Sequence, residues 1–141
     1  MDYSQFTPNP QDMLYQSAPY TYPKRQNVAW YVDEHFAPYP PVPRYLVSTY
    51  GRVYDTVTGR LCMEHLSPPD SVYPIVAINN PVTGRTSQYV HRMVMMAHCP
   101  IPNSDEMVVN HLDLNKTHNT YFGPDDPRTN LEWTTYAGNT I

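Results

Sequence analysis

Two polar stretches near the end of the chain contain the side chains best suited to hydrolysing a phosphate ester. The first, residues 108–119, reads V-V-N-H-L-D-L-N-K-T-H-N, and the second, residues 129–139, reads T-N-L-E-W-T-T-Y-A-G-N. Hydrolysis needs an activated water, a cation that neutralises charge on the phosphate, and a proton for the leaving oxygen. A histidine suits the first task because its pKa lies near physiological pH, and oxygen donors suit a hard cation such as Mg²⁺. His111 is therefore the candidate general base.

Three separated blocks, of which the two stretches above together form one, resemble the HNH family of homing-type endonucleases found in phages and introns. The two stretches above fit the pattern v-[ND]-H-x-D-x-N-K-x-x-N followed by N-L-x-W-x-t-x-x-x-N. Residues 45–53 (Y-L-V-S-T-Y-G-R-V) resemble a Y-x-V-S-x-x-G-R-V module that often precedes these nuclease domains, and residues 90–94 (V-H-R-M-V) resemble the start of a family helix. Three blocks in the family's order are a far more specific signal than one short motif.

The resemblance implies an α+β fold, with a small ββα-metal (HNH, His-Me finger) nuclease domain preceded by β-hairpins. It implies that His111 is catalytic, that Asn130 ties the catalytic loop together through backbone hydrogen bonds, and that Asn110 and Asn139 are the metal ligands. The cofactor would be one divalent cation, Mg²⁺ or Mn²⁺, and cleavage would leave a 5′-phosphate and a 3′-hydroxyl. The expected partner is double-stranded DNA, whose phosphates Arg92 could approach.

Several positions depart from the family's usual pattern or suit a structural role. Many relatives carry Asp where this chain has Asn110, and loss of that charge should weaken metal binding. Asp113, Asn115 and Asn119 are expected to form turns by hydrogen-bonding their own backbone rather than to bind metal. His91 is expected to pack at the start of its helix or to orient the loop.

The elements that must position these residues are short. Residues 45–48 and 52–55 predict a hairpin in which Gly51 supplies the positive φ of the turn, and a second turn at Gly59 leads into residues 60–63. Residues 72–78 and 86–90 predict two further strands joined by a turn. Residues 91–98 predict a helix that the following prolines end. Residues 107–109 and 131–134 predict the strands that flank the candidate loop.

The composition changes at residue 45. Residues 1–44 hold eight of the 16 prolines and many tyrosines without a sustained period, a pattern typical of extended or polyproline II backbone. We therefore predict an extended Pro/Tyr-rich N-terminal arm over residues 1–44 and an HNH endonuclease-like domain over residues 45–141. Ordering such an arm costs roughly 1–2 kcal/mol per residue, so an ordered arm needs a partner surface, such as that of a larger protein assembly.

Charge and composition limit the partners. The net charge of -4 and the pI near 5.8 argue against nucleic-acid binding through bulk charge alone.

Cys62 and Cys99 form no Cys-x-x-Cys pair and are expected to be buried free thiols. No apolar run has the length of a membrane span, and no signal-peptide pattern is present, so we expect a soluble intracellular protein. The resemblance implies that it acts in the cytoplasm of a phage-infected host cell. Six arginines predict either a local phosphate-binding face or an ordinary solvated surface: Arg44, Arg52, Arg60, Arg85, Arg92 and Arg128.

Two functions from different classes fit these patterns. The first is a phage-encoded, metal-dependent HNH endonuclease that hydrolyses DNA phosphodiester bonds. The second is a non-catalytic structural or assembly protein of a virion, built on an HNH-derived fold and anchored by its N-terminal arm. The acidic pI, the short last helix expected to carry Asn139, and the neutral Asn110 in place of an aspartate favour the second. His111, Asn130 and Asn139 together favour the first, which we prefer. An enzyme should place the His111 ring and the Asn139 side-chain oxygen around one solvent-open spot, and an assembly component should lay residues 1–44 over a neighbour.

Overall fold

Short strands and two helices make up the fold, in a computed structural model that describes residues 31–67 and 72–139 and the side chains as far as Ala137. The strands are β1 (Phe36–Pro38), β2 (Tyr45–Ser48), β3 (Val53–Asp55), β4 (Arg60–Leu61), β5 (His65–Leu66), β6 (Pro74–Asn80), β7 (Gly84–Tyr89), β8 (Val108–His111) and β9 (Leu131–Thr134). The helices are α1 (Val90–His98) and α2 (Tyr136–Asn139), with a 3₁₀ turn at Ser104–Glu106. Within the described ranges, neither helix has the length and apolar character needed to cross a membrane.

The first sheet contains the two predicted hairpins. Strands β1, β2, β3 and β4 pair in chain order, and all the pairs are antiparallel, with Leu46 opposite Tyr54 and Tyr54 opposite Leu61. The Ser48 hydroxyl oxygen accepts hydrogen bonds from the backbone N–H of Tyr50 (3.1 Å) and of Arg52 (3.0 Å). A short hydroxyl side chain therefore closes the β2–β3 turn, as serine commonly does beside a turn.

The described part of the predicted arm belongs to the domain. Strand β1 pairs with β2, and Phe36, Tyr39 and Val42 are buried. The buried carboxylate of Glu34 accepts hydrogen bonds from the Arg52 guanidinium. The domain therefore begins before residue 36, upstream of the predicted boundary at residue 45, because a proline-rich segment can still pair along the outer edge of a sheet. The remainder of the predicted arm, residues 1–30, lies outside the described residues.

Helix α1 joins the three sheets of the domain. It packs against β1 and β2 of the first sheet, against β6 and β7 of the β5–β6–β7 sheet, and against both strands of the β8–β9 pair. Val90, Met93 and Val94 are fully buried at the centre of the core. The helix and the strands on either side of it occur where the sequence predicts them, with ends shifted by one or two residues. Cys62 and Cys99 are free thiols, as expected, but they are half-buried at the edge of this core.

Strands β8 and β9 and helix α2 form the predicted strand–strand–helix unit. The antiparallel register places Asn110 opposite Glu132 and His111 opposite Leu131. Since alternate side chains of a strand point to opposite faces, His111 and Leu131 face the core, where both are buried, while Asn110 and Glu132 face the other side. Helix α2 follows β9 after a single residue and packs against β8.

The loop between β8 and β9, residues 112–130, rests on the β2–β3 turn. The Thr49 carbonyl accepts a hydrogen bond from the Tyr121 N–H (3.0 Å). Gly51 has a φ of +81°, and a Cβ placed on it would lie 2.8 Å from the backbone oxygen of Asn119. Only glycine combines this left-handed backbone with so close an approach, so Gly51 sets the position of the loop.

We expect Gly51→Ala to lower the free energy of unfolding by more than Gly84→Ala does. The two glycines have similar φ values, +81° and +84°, so both substitutions carry the left-handed backbone cost of roughly 1–2 kcal/mol. A Cβ on Gly84 meets nothing within 4 Å, so the difference between the variants, measured by urea denaturation, isolates the contact with Asn119. Equal losses would show that the loop does not lie directly on the turn.

Candidate active site

The candidate base, His111, lies at the end of β8 with its ring turned into the interior. The residue is 1% exposed, and its Nε2 lies 2.7 Å from Oδ1 of Asn119. Because an amide oxygen can only accept a hydrogen bond, Nε2 carries the proton and donates it, and the neutral ring has its lone pair on Nδ1. The loop therefore selects one tautomer and makes Nδ1 the basic nitrogen.

The surroundings of His111 keep the ring neutral. Burial lowers the pKa of His111 below its usual value, and the hydrogen bond to Asn119, which stabilises the charged ring, opposes this more weakly. The nearby ammonium of Lys116 also lowers this pKa. The imidazole is therefore unprotonated near neutral pH, which is the form that acts as a general base.

Aromatic side chains cover His111. The ring of His91 lies edge-on to it with the centroids 5.2 Å apart, and the centroid of Tyr73 is 6.2 Å away. The Lys116 ammonium lies 5.7 Å from the centroid of the Tyr73 ring. The expectation of a solvent-open ring was wrong, because Tyr73, which lies outside both polar stretches, folds back onto the end of β8. The Asn139 side chain, the other half of that expectation, lies outside the described side chains.

His91 is buried at the start of α1, against His111 and Tyr73. Burial first, and then the adjacent His111, lower the pKa of His91 to about 3. Within the described part of the chain, its Nδ1 is buried and has no hydrogen-bond partner. A charge on His91 would therefore be uncompensated, so this ring also stays neutral.

Asn130 holds the two ends of the candidate loop together. Its backbone N–H donates to the Thr120 carbonyl (2.9 Å), and its carbonyl accepts from the Leu112 N–H (2.8 Å). Its side-chain Oδ1 accepts from the Asp113 N–H (3.0 Å), and its Nδ2 donates to the His118 carbonyl (2.7 Å). These contacts give Asn130 a positioning role in the loop that carries Asn119.

The predicted turn-forming side chains divide into two groups. Asp113 Oδ1 accepts from the Asn115 N–H (2.8 Å), and Asn115 Oδ1 accepts from the Thr117 N–H (3.0 Å), so both form turns as predicted. A hydrogen bond from His118, together with that from Asn115, lowers the pKa of Asp113 to about 2. The prediction for Asn119 was wrong, since its side chain is buried and accepts from His111. No local pattern separates an asparagine that bonds its own backbone from one that bonds a distant ring.

Of the two predicted metal ligands, Asn110 lies on the face of β8 opposite His111. Asn110 donates from Nδ2 to Oε2 of Glu132, which lies directly across the strand pair (2.8 Å). Asn139 is the last residue of α2, which packs against β8, and its side chain lies outside the described side chains. Residues 31–67 and 72–137 contain no cluster of three or more His, Cys, Asp and Glu side chains fit to hold a metal. The candidate donors are therefore amide oxygens and the Glu132 carboxylate, an all-oxygen set that suits a hard cation completed by water and phosphate.

Five of the six arginines are engaged within the described residues, four of them with backbone carbonyls or carboxylates and Arg85 with Oδ1 of Asn79 (3.1 Å). Arg92 donates to the carbonyls of Met107 (2.9 Å) and Ser104 (3.0 Å), and its guanidinium lies 5.3 Å from the Trp133 ring centroid. Any phosphate contact by Arg92 is limited to its remaining N–H groups. The other three of the four make ion pairs, Arg44 with Asp55, Arg52 with Glu34, and Arg128 with Asp126 and Asp33. A phosphate-binding face made by all six arginines is therefore not formed; Arg60 and Arg85 remain exposed.

Comparisons with known proteins find HNH endonucleases that are similar to this chain. The chain is 34% identical over 85 residues to the H-N-H endonuclease F-TflII of Escherichia phage T5, and the match covers 59% of this chain and 42% of that protein. A solved structure described as DNA binding and cleavage by the HNH homing endonuclease I-HmuI matches with a TM-score of 0.59 and 25% identity, over 74% of this chain and 55% of that chain. The chain thus spans about half of the length of each relative. No family model matches it.

These likenesses confirm the predicted resemblance to HNH homing-type endonucleases and the predicted small α+β fold of ββα-metal type. The family assignment of the upstream Y-x-V-S-x-x-G-R-V module stays a prediction. The roles of His111, Asn110, Asn130, Asn139 and Arg92 also stay predictions, because the likeness concerns sequence and fold.

We expect Asn119→Asp to raise the pKa of His111. A carboxylate beside Nε2 stabilises the charged ring by direct attraction, and an opposite charge at this distance shifts a pKa by about one unit or more. NMR titration of the His111 ring resonances measures this change. Asn115→Asp, which adds the same charge at an exposed position of the same loop, is the matched control. An equal shift in both variants would mean that Asn119 does not hold Nε2.

We expect acid to destabilise the domain through His91. The pKa of His91 is about 3 in the folded chain, against an ordinary value of 6.5. Between these two pH values the unfolded chain therefore binds a proton at His91 that the folded chain does not bind. Stability is therefore full above pH 6.5 and falls as the pH drops towards 3, by at most about 1.4 kcal/mol per pH unit for one group. His91→Phe should flatten this fall, measured by urea denaturation across that range, whereas His65→Phe at an exposed position should not. An unchanged slope in His91→Phe would refute the assignment.

Proposed function

We propose that this chain, which is similar in sequence and fold to HNH homing-type endonucleases, is a DNA endonuclease of phage type that hydrolyses phosphodiester bonds with the help of one divalent cation. The observation that carries the proposal is the His111 ring, which is held neutral and in one tautomer at the end of β8 and follows the predicted ligand Asn110 in the chain. Its substrate would be double-stranded DNA, met in the cytoplasm of the infected host cell.

In the proposed reaction, Nδ1 of His111 takes a proton from the water that attacks phosphorus, the bond between phosphorus and the 3′-oxygen breaks, and that oxygen takes a proton from solvent water. The ring is suited to this task because Asn119 keeps the other nitrogen protonated, and because a base with a pKa near or below the working pH is available in its unprotonated form. Asn130 does not touch the reacting atoms; it holds the loop that carries Asn119.

A cation, Mg²⁺ or Mn²⁺, would be held by Asn110 and Asn139. When bound, it would neutralise charge that develops on the phosphate. The oxygen donors of Asn110 and Glu132, which face each other across the strand pair, fit such an ion, since Mg²⁺ is commonly bound through one or two carboxylates, with water and substrate phosphates in its remaining positions. The Asn110 amide has its nitrogen engaged by Glu132, so its oxygen is the atom left to act as a ligand.

Access to His111 requires movement of the side chains above it. The residue is 1% exposed, so a phosphate and its attacking water cannot reach Nδ1 while the covering side chains keep this packing. Tyr73, with Lys116 lying against its ring, is the neighbour that we expect DNA to displace.

The burial of His111 also favours the second candidate function, a non-catalytic assembly protein of a virion that kept the fold. In that case the ring would serve only to pack the end of β8. A larger assembly contacted through residues 1–44 belongs to this alternative.

A plasmid-nicking assay with Mg²⁺ or Mn²⁺ separates the two functions. We expect the unsubstituted protein to cut DNA and His111→Ala to be slower by about 100-fold or more, because loss of a general base typically costs 10²–10⁴-fold. His111→Gln, which retains more of the side-chain volume, should lose the same activity while remaining folded by circular dichroism, and His65→Ala should cut normally. Cutting that is independent of His111, or no metal-dependent cutting by the unsubstituted protein, would refute the proposed function.

A further inference from the structure

Glu132 is the carboxylate nearest to the predicted metal ligand on β8. It lies directly opposite Asn110 in the β8–β9 register, and its Oε2 accepts a hydrogen bond from Asn110 Nδ2 (2.8 Å). Cross-strand neighbours share one face of a strand pair, so Glu132 and Asn110 both lie on the face away from His111. Glu132 is exposed, and Asn110 is partly exposed.

This contact has two consequences for a cation. An amide presents one donor group and one acceptor group, so engaging the Asn110 nitrogen leaves its oxygen as the available ligand atom. The amide itself is neutral, and a site made of amides alone attracts a hard cation weakly, whereas a carboxylate adds the charge that such ions favour. Glu132 therefore provides both orientation and charge at the position where the family's usual aspartate is replaced by Asn110.

We propose that Glu132 supplies the negative charge of the cation site and fixes the direction of the Asn110 amide. Glu132 on β9 then carries the negative charge that an aspartate in place of Asn110 would carry on β8. This inference rests on the proposed function, since it concerns the same cation.

The test is a charge swap across the strand pair. Glu132→Gln removes the charge but can keep a hydrogen bond to Asn110. The double variant Asn110→Asp with Glu132→Gln returns the charge to β8 and leaves the net charge of the chain unchanged. Glu106→Gln, at an exposed carboxylate in the 3₁₀ turn, is the matched control for charge alone.

Mn²⁺ binding is measured from the electron paramagnetic resonance signal of the free ion, with duplex DNA present and in a His111→Gln background that prevents cutting. We expect Glu132→Gln to weaken Mn²⁺ binding about 10-fold or more, as loss of a residue that supports a metal ligand typically does. The double variant should recover most of this affinity, and Glu106→Gln should bind as the parent does. In the active enzyme, Glu132→Gln should raise the Mn²⁺ concentration needed for half-maximal nicking.

The possible failures are distinguishable. If the parent binds Mn²⁺ and the active enzyme cuts DNA, but Glu132→Gln behaves like Glu106→Gln, the inference is overturned and the proposed function stands. If Glu132→Gln loses affinity while the double variant stays folded and does not recover it, the charge is not what Glu132 contributes, and the inference is again overturned. If the parent binds no Mn²⁺ and the active enzyme cuts nothing, the proposed function fails together with the inference.

Discussion

The hydrogen bond between His111 and Asn119 is the interaction on which the candidate site depends, because it decides which ring nitrogen is basic. Asn119 keeps its position only while the loop of residues 112–130 rests on the β2–β3 turn, where Gly51 leaves room for the Asn119 backbone. Asn130 fixes the same loop through its hydrogen bonds to Asp113 and His118. Two distant parts of the chain therefore determine which nitrogen of His111 carries the proton, so the upstream hairpins help to set the geometry of the candidate site in the strand–strand–helix unit.

Burial of the histidine rings around α1 lowers the stability of the domain, and it keeps the rings at the candidate site neutral. Burial lowers the pKa of His91, His98 and His111. His98 recovers part of the cost by donating from Nε2 to the Val47 carbonyl (2.7 Å), whereas the Nδ1 atom of His91 has no such partner within residues 31–67 and 72–137. A buried, unpaired polar atom costs roughly 1–3 kcal/mol, which a phenyl ring would avoid. Such departures from the best packing tend to occur at functional sites, and this one lies against the candidate base.

The sequence predicted the features whose signals are local. Gly51 and Gly59 mark turns by the backbone they permit, and the spacing of apolar residues marks α1, so these elements occur within one or two residues of their predicted positions. The features that were missed depend on contacts between distant residues. Strand β1 pairs despite its prolines because β2 offers an edge, and Asn119 is directed at His111 by a turn far upstream. Local sequence patterns do not reveal such contacts. A proline-rich segment also fits an unpaired arm, and an asparagine in a polar stretch also fits an ordinary surface loop.

The charge of the chain bears on how this fold could approach a polyanion. The net charge is -4, and Arg44, Arg52 and Arg128 are paired with carboxylates, so a broad basic face is not the source of attraction. DNA affinity that comes from phosphate neutralisation by lysine and arginine should therefore be small. In the proposed function, a divalent cation beside Asn110 and Glu132 would reverse the sign of the local potential where the phosphate must lie. Because linkage is reciprocal, DNA would strengthen cation binding as much as the cation strengthens DNA binding. In the proposed function, DNA phosphates supply the remaining ligands of the cation. An acidic domain can therefore bind DNA at a cation site that has few charged residues of its own.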